Sequence, residues 1–379
     1  MRNLLISVFI AAVACGAPAD APPALRVTAE PAPRFNDLFQ GTEGWIGADG
    51  VYPVAISEHG SLYLFSDTLV GKVKDGKRVD AKMVNNSVAV QRGRGAEAKL
   101  EFFIARDDDG KPRAVFQPAD GEGWFWPFAG YHRDGKLFVF LMNMAKAGDG
   151  GAFGFKQTGA TLAAIANPAD PPAQWRITQK PVPHVQLGGE GNGQGNDKVT
   201  RVLGSAVLEY DGHVYIYGFH DVRADGWPRR GMIVARTPAD RFDDFDAWRF
   251  YDGGDWSAKL SDATPLFTGF ATEASVTWLP RQKRFVTIYT ENGLSANILA
   301  RFAQTPVGPW SDAVRVYRCP EPARDKGVFC YAAKAQPQLS APGAAGELII
   351  SYACNATDFW DLFRRADLYW PSFVRLRFE

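Results

Sequence analysis

Residues 205–219 read SAVLEYDGHVYIYGF. Asp211-Gly212 separates two runs of β-branched and aromatic residues, which is the chemistry of a tight β-hairpin. The pattern recurs as VYPVAISEHGSLYLF (51–65), FAGYHRDGKLFVFL (128–141), ASVTWLPRQKRFVTIY (274–289) and PQLSAPGAAGELIISY (337–352). The turn positions Gly60, Gly135, Gly212, Gln282 and Gly346 are spaced by 75, 77, 70 and 64 residues. A third strand is expected after each hairpin, at Ser87–Gln91, Thr161–Ala166, Met232–Thr237, Asn297–Ala303 and Ser372–Phe378. A fourth follows in four units, at Leu100–Ile104, Trp175–Gln179, Trp248–Tyr251 and Val314–Tyr317. Five such units predict an all-β chain folded as a five-bladed β-propeller with four-stranded antiparallel blades over residues 34–379. The fifth unit lacks a fourth strand, and Leu25–Thr28 or the Phe35 region is expected to supply it by pairing with Val374–Phe378. A pair of sandwiches or a solenoid could also carry hairpins, but repeats near 70 residues are too long for solenoid coils. One short helix is expected within 358–369.

Composition agrees with this reading. The 379 residues include 38 Gly and 25 Pro spread along the chain, which favours short strands and turns over long helices. Apolar residues at 46%, with 26 Phe, 12 Tyr and 11 Trp, can fill a large core. Forty-two basic residues balance 42 acidic ones, so charge gives no case for nucleic acid or an anionic membrane surface as partner. The chain is expected to act as a monomer.

At the N-terminus, Arg2 precedes an apolar run, Leu4–Val13, that is too short to span a bilayer. Small residues before Cys15 resemble a lipobox. Residues 1–15 are therefore expected to be a lipoprotein signal with Cys15 lipidated, and Ala/Pro-rich residues 16–33 a tether. The alternative is an ordinary secretory signal. The expected location is the cell envelope, at the outer membrane in a Gram-negative cell, or else periplasmic or extracellular. Membrane contact is then expected through the lipid alone. Export permits a disulfide, and Cys319 with Cys330 brackets a polar loop that one could close.

If these hairpins are blades, the starts of first strands and the ends of second strands share one face. That face collects Asp49, Asp67, Glu273, His220, Asp221, Glu291, Asn292 and Lys334. Glycoside hydrolysis needs one carboxylate as base or nucleophile and one protonated carboxylic acid. Asp49 is expected as base or nucleophile, Glu273 as general acid, and Asp67 as a neighbour that tunes their charge. Trp45, Trp124 and Trp126 offer faces for sugar rings, and Asn86 lies near the floor. Each has a plainer reading: Asp49 as a turn residue, Asp67 as a strand cap, His220–Asp221 as a structural pair, the tryptophans as core. The Gly-rich run 187–197 lacks Gly-Lys-Ser or Gly-Lys-Thr and reads as a rim loop.

GADGVYPVAISEHGSLYLFSDTLVG, followed by NNSVAV, resembles the first blade of secreted bacterial five-bladed glycosidase propellers. VARTPADRFDDFDAWRFYDG, ARFAQTPVGPWSDAVRVY, YAAKAQPQLS, ISYACN and LYWPSFVRLRF resemble later blades. The similarity is to the group called domain of unknown function family 4185, which includes endo-D-arabinanases. It implies a glycan-cleaving hydrolase, a furanoside such as arabinan being the expected substrate, with the catalytic roles on Asp49 and Glu273. Ser66 replaces a usual Gly, and Gln336 stands where His is expected. Two alternatives remain open. One is a non-catalytic glycan-binding lipoprotein. The other is a calcium-dependent lactonase-like hydrolase with Asp49, Asn86 and Glu273 as oxygen ligands. No other metal or cofactor is expected.

Overall fold

The computed structural model describes residues 20–57, 60–148, 154–188, 198–222, 229–340 and 346–379. Residues 1–15 with Cys15, and most of the Gly-rich run, lie outside them. The chain is all-β. Five antiparallel sheets of four or five strands are joined by two smaller ones. In the first large sheet Tyr52–Ala55, Gly60–Phe65, Ser87–Arg92 and Lys99–Phe103 pair in that order. The second runs Trp124–Arg133, Lys136–Lys146, Phe155–Ile165, Ile177–Pro181. The third contains Val199–Tyr210, His213–Val222 and Arg229–Pro238, then the short strands Arg249–Tyr251 and Trp256–Ser257. The fourth consists of Ala274–Leu279, Arg284–Thr290, Asn297–Ala303 and Val314–Arg318. Val328–Ala335, Glu347–Ala356 and Ser372–Phe378 form the fifth, whose outer strand is Val27–Pro31 from the other end of the chain.

The N-terminal segment thus supplies the fourth strand expected near Leu25–Thr28, at Val27–Pro31 within the stretch also assigned to a tether, with Val27 opposite Phe378 and Pro31 opposite Val374. Glu30 adds ion pairs to Arg375 and Arg377, at 3.0 and 2.9 Å. The first strand of the fifth unit departs from expectation. It lies at Val328–Ala335 and not in 337–340, where Pro337–Leu339 makes a 3-10 turn. Helices are few and short: Pro33–Leu38, Glu321–Arg324 and Asp361–Arg364, the last within the stretch expected to hold one.

The first strands pack side by side in the order of the sheets. Hydrogen bonds from Lys334 to the Gly50 carbonyl and from Gln336 to the Val51 carbonyl (2.9 Å) tie the fifth sheet back to the first. Apolar side chains fill the space between neighbouring sheets. Phe140 of the second sheet meets Phe242 and Trp248 of the third, with ring centroids 6.0 and 6.1 Å apart. Tyr217 is fully buried and donates its hydroxyl to the Pro306 carbonyl of the fourth sheet at 2.9 Å, so its polar end is satisfied.

A three-stranded sheet of Glu43–Ala48, Thr68–Lys74 and Lys77–Val84 was not expected. It positions two of the acids. Asp49 lies where the chain leaves this sheet for Tyr52–Ala55, and Asp67 where it returns from Gly60–Phe65. The two crossings are bonded to each other, Ser66 N–H to the Asp49 carbonyl at 3.1 Å. Gly50 has φ +83°, and a Cβ there would lie 2.9 Å from the Ser66 nitrogen, so only glycine fits.

Candidate active site

A cavity of about 1060 Å³ opens where these crossings meet the ends of the other sheets. Its lining includes Asp49, Asp67, Trp126, Asp221, Glu273 and Tyr331. A second cavity of about 1120 Å³ shares Arg230, Thr272, Glu273, Leu294 and Tyr331 with it, so Glu273 stands at their junction. Both are large enough for an oligosaccharide.

Irregular backbone aims the side chains. In Val328–Ala335 the register slips between Tyr331 and Lys334, with Ala332 at φ +60°. Such a bulge turns side chains away from simple alternation. Tyr331 thereby donates its hydroxyl to Asp49 Oδ2 at 2.6 Å, while Lys334 reaches Glu273 Oε1 at 3.0 Å.

The acids sit in unlike surroundings. Tyr331 donates to Asp49 Oδ2 and the Tyr369 hydroxyl lies close enough to favour the ionised form as well, while Oδ1 is buried without a hydrogen-bond partner. Burial, with Asp67 and then Glu273 nearby, pushes its carboxyl up to about 8. Burial also raises Asp67, to about 6, although Trp126 Nε1 (2.8 Å) and Asn85 (3.2 Å) both donate to its Oδ1 and oppose the rise. Glu273 has a cation. The Lys334 side chain is 1% exposed, donates to the carbonyls of Gly50 and Ala332 as well, and lies 4.2 Å from the Tyr52 ring centre.

Of the residues expected to bind substrate, Trp126, Asp221 and Asn292 line a cavity. Others do not. Trp45 is 3% exposed, stacks on Phe102 at 4.3 Å and donates to Ser87, so it belongs to the core. Asn86 is fully buried and spends both ends of its amide on Phe116 and Phe125 backbone, which removes it from any calcium ligand set. Trp124 packs edge-on against Trp126 and lines neither large cavity. His220 faces away from the cavity that its neighbours Phe219 and Asp221 line. Glu291 is held by Ser295 and Asn297. Lys334 is consumed in holding Glu273 and backbone. Among the described residues the only three His, Cys, Asp or Glu side chains close enough to share an ion are Cys319, Glu321 and Cys330. Asp49, Asp67 and Glu273 line the cavity without converging on one point.

The disulfide expected between Cys319 and Cys330 is replaced. Cys330 pairs with Cys354, directly opposite on the adjacent strand with Cα atoms 4.2 Å apart, and Cys319 is a buried free thiol. The two departures in the first and last blades are structural. Gln336 is fully buried and donates to Val51 and Ser351, and Ser66 donates to the Pro127 carbonyl at 3.4 Å.

Several site residues escaped the sequence reading. Arg78, 4% exposed, donates to the carbonyls of Ile46 (2.7 Å), Leu362 (2.7 Å), Arg365 (3.1 Å) and Leu368 (2.6 Å). It has no carboxylate in these bonds, and burial lowers its guanidinium to about 10. These bonds clamp residues 362–369 against Glu43–Ala48 and seat Tyr369, whose hydroxyl donates to the Asp67 carbonyl at 3.0 Å. Just before it Phe359 lines the cavity, and Trp360, 60% exposed, packs against Phe359.

The family described as Domain of unknown function (DUF5005) matches residues 33–378. The chain belongs to that family. This differs from the family 4185 group to which the motifs were likened. No curated protein matches the sequence. A Bacteroides ovatus protein named provisionally as a hydrolase shares the fold, with a TM-score of 0.71 at 19% identity over 92% of this chain and 90% of its own. Weaker alignments include a family 117 glycoside hydrolase of Zobellia galactanivorans (TM-score 0.47, 14% identity, 93% and 90% covered). Another is the GH62 α-L-arabinofuranosidase catalytic domain of Coprinopsis cinerea (0.48, 10%, 94% and 98%).

Proposed function

We propose that this chain is a glycoside hydrolase built as a five-bladed propeller, each large sheet being one blade, and that it works in the cell envelope after lipidation at Cys15. The observation that carries the hydrolase reading is one cavity holding two acids in opposite ionic environments. Asp49, enclosed among carboxylates, keeps its proton near neutral pH. Glu273 is bonded instead to Lys334, a cationic partner. Glycosidic cleavage needs that combination.

The roles that follow are exchanged relative to the sequence expectation. Asp49 is the proton donor to the leaving oxygen, and Glu273 is the base or nucleophile at the anomeric carbon. Asp67, fixed by Trp126 and Asn85, raises Asp49 by charge. Trp126 and Trp360 are the aromatic surfaces for sugar, and an arabinan-type furanoside is the first substrate to try.

Leaving-group chemistry tests the assignment. An aryl glycoside with a very acidic phenol needs no acid catalyst, whereas a natural linkage does. Asp49→Asn should lose about 100-fold or more on the glycan yet keep most activity on the activated glycoside. Glu273→Gln should lose both, and Glu273→Ala, which leaves room for an external anion, should regain turnover with azide. The reverse pattern would return the acid to Glu273. Wild type inert on a broad glycan panel, while still binding one, would favour the glycan-binding alternative.

A further inference from the structure

The second cavity has a charge pattern that the hydrolytic chemistry does not use. Its charged lining among the described residues is Arg229, Arg230 and Glu273; Lys334 matches Glu273 and Asp221 matches Arg230, which leaves the Arg229 charge in surplus. Arg230 is held rigidly. Its Nε and Nη2 form a two-pronged pair with Asp221 at 2.7 and 2.6 Å, and its guanidinium lies 5.0 Å from the Phe219 ring centre. Nη1 takes no part in this pair and makes no hydrogen bond among the described residues. It points toward Gly293, where a Cβ would come within 3.3 Å of it, so the glycine leaves that edge open to the cavity. Asn292 and Thr268 lie in the same wall with further polar groups, and Arg229 is exposed beside them.

A guanidinium fixed at one edge and free at the other is suited to an anionic oxygen pair. Neutral sugars need no such group, and the Arg230 side chain is 19% exposed, within reach of a ligand. The Asp221 pair offsets the Arg230 charge but leaves the Nη1 donors free for an oxygen in the cavity. We propose that the second cavity is a subsite for an acidic sugar, one bearing a carboxylate or a sulfate ester, next to the sugar that Asp49 and Glu273 act on. Arg230 binds the anionic group through Nη1, and Arg229 adds charge at the rim. This rests on the glycoside hydrolase reading for the word subsite, although the binding it describes is measurable without turnover.

Calorimetry on the full chain tests it with matched pairs: oligogalacturonate against its methyl ester, and sulfated carrageenan oligosaccharides against their desulfated forms. The charged member of at least one pair should bind about 10-fold or more tighter, as expected for a charge-assisted hydrogen bond. Which pair responds separates carboxylate from sulfate. The preference should shrink with added salt. Arg230→Lys keeps a cation for Asp221 but loses the fork, and should remove most of the preference; Arg229→Ala, on an exposed side chain, should reduce it several-fold. Equal binding within every pair, including no binding to any, overturns the proposal, as does an undiminished preference in both variants. Hydrolysis of the same oligosaccharides is scored separately. Charge preference without cleavage would keep the anionic site and remove the hydrolase, whereas cleavage of neutral glycans without preference would do the opposite.

Discussion

Replacing Lys334 by Met removes a buried ammonium while keeping most of the side chain's volume. Three acceptors lose their donor: Glu273 Oε1 and the carbonyls of Gly50 and Ala332. Breaking one side of a buried ion pair costs about 3–5 kcal/mol, because the other charge stays buried. For 379 residues the unfolding entropy is about 0.8 kcal/mol per kelvin, so the melting temperature should fall by roughly 4–6 °C. Glu273 also loses the donor that orients it in the cavity, so turnover of a glycan should fall about 10-fold or more. Calorimetric melting and the rate on one glycan measure both effects. A melting temperature within about 1 °C of wild type, with an unchanged rate, would refute the view that Lys334 holds Glu273 in place.

Four further outcomes follow from the same structure. Asp49 is raised from 3.8 to about 8 on folding, so the stability it contributes is fully present below pH 3.8 and is lost as pH rises toward 8; Asp49→Asn should gain stability relative to wild type over that window in melts taken from pH 4 to 8. Arg78→Met strips hydrogen bonds from four buried or half-buried carbonyls and should destabilise by about 3 kcal/mol or more, with protease cleavage appearing first in 358–371. Trp360→Ala, on a side chain 60% exposed, should leave the melting temperature unchanged and raise KM by a few-fold to about 10-fold. Cys354→Ser opens a loop of sequence separation 24 and should cost about 3–4 kcal/mol, whereas Cys319→Ser should leave the Cys330–Cys354 peptide intact in non-reducing mass mapping.

The hairpins were legible because two local signals coincide in each: apolar alternation on both sides, and a turn residue suited to a tight reversal. Asn297–Ala303 and Ser372–Phe378 fall where the pattern puts them. The fifth unit misled because Ala332, Ala333 and Ala335 have little intrinsic strand preference. That strand exists through pairing with Glu347–Ala356, a distant contact that composition does not reveal. Cysteine pairing failed for the same reason. Cys319 and Cys330 are closer in sequence, but register sets Cys330 opposite Cys354. At the site, Asp49, Asp67 and Glu273 could be gathered on one face by connectivity alone. Which tryptophan faces the cavity, and which cation holds Glu273, depend on bulges and on the added three-stranded sheet, neither of which leaves a periodic trace.

The strand Val27–Pro31 is made first and finds its partner last. Glu30 and Arg375, bonded across that pair, are 345 positions apart in the chain. At 5–20 residues per second, synthesis leaves the early segment waiting roughly 20–70 s before Ser372–Phe378 exists to receive it. During that interval four sheets can form, while the fifth has an open edge and the site lacks Tyr331, Lys334 and Tyr369. The cavity that gathers these groups is therefore completed last. A chain interrupted short of its final strand would be mostly folded and marked for its neighbours by an unpaired edge.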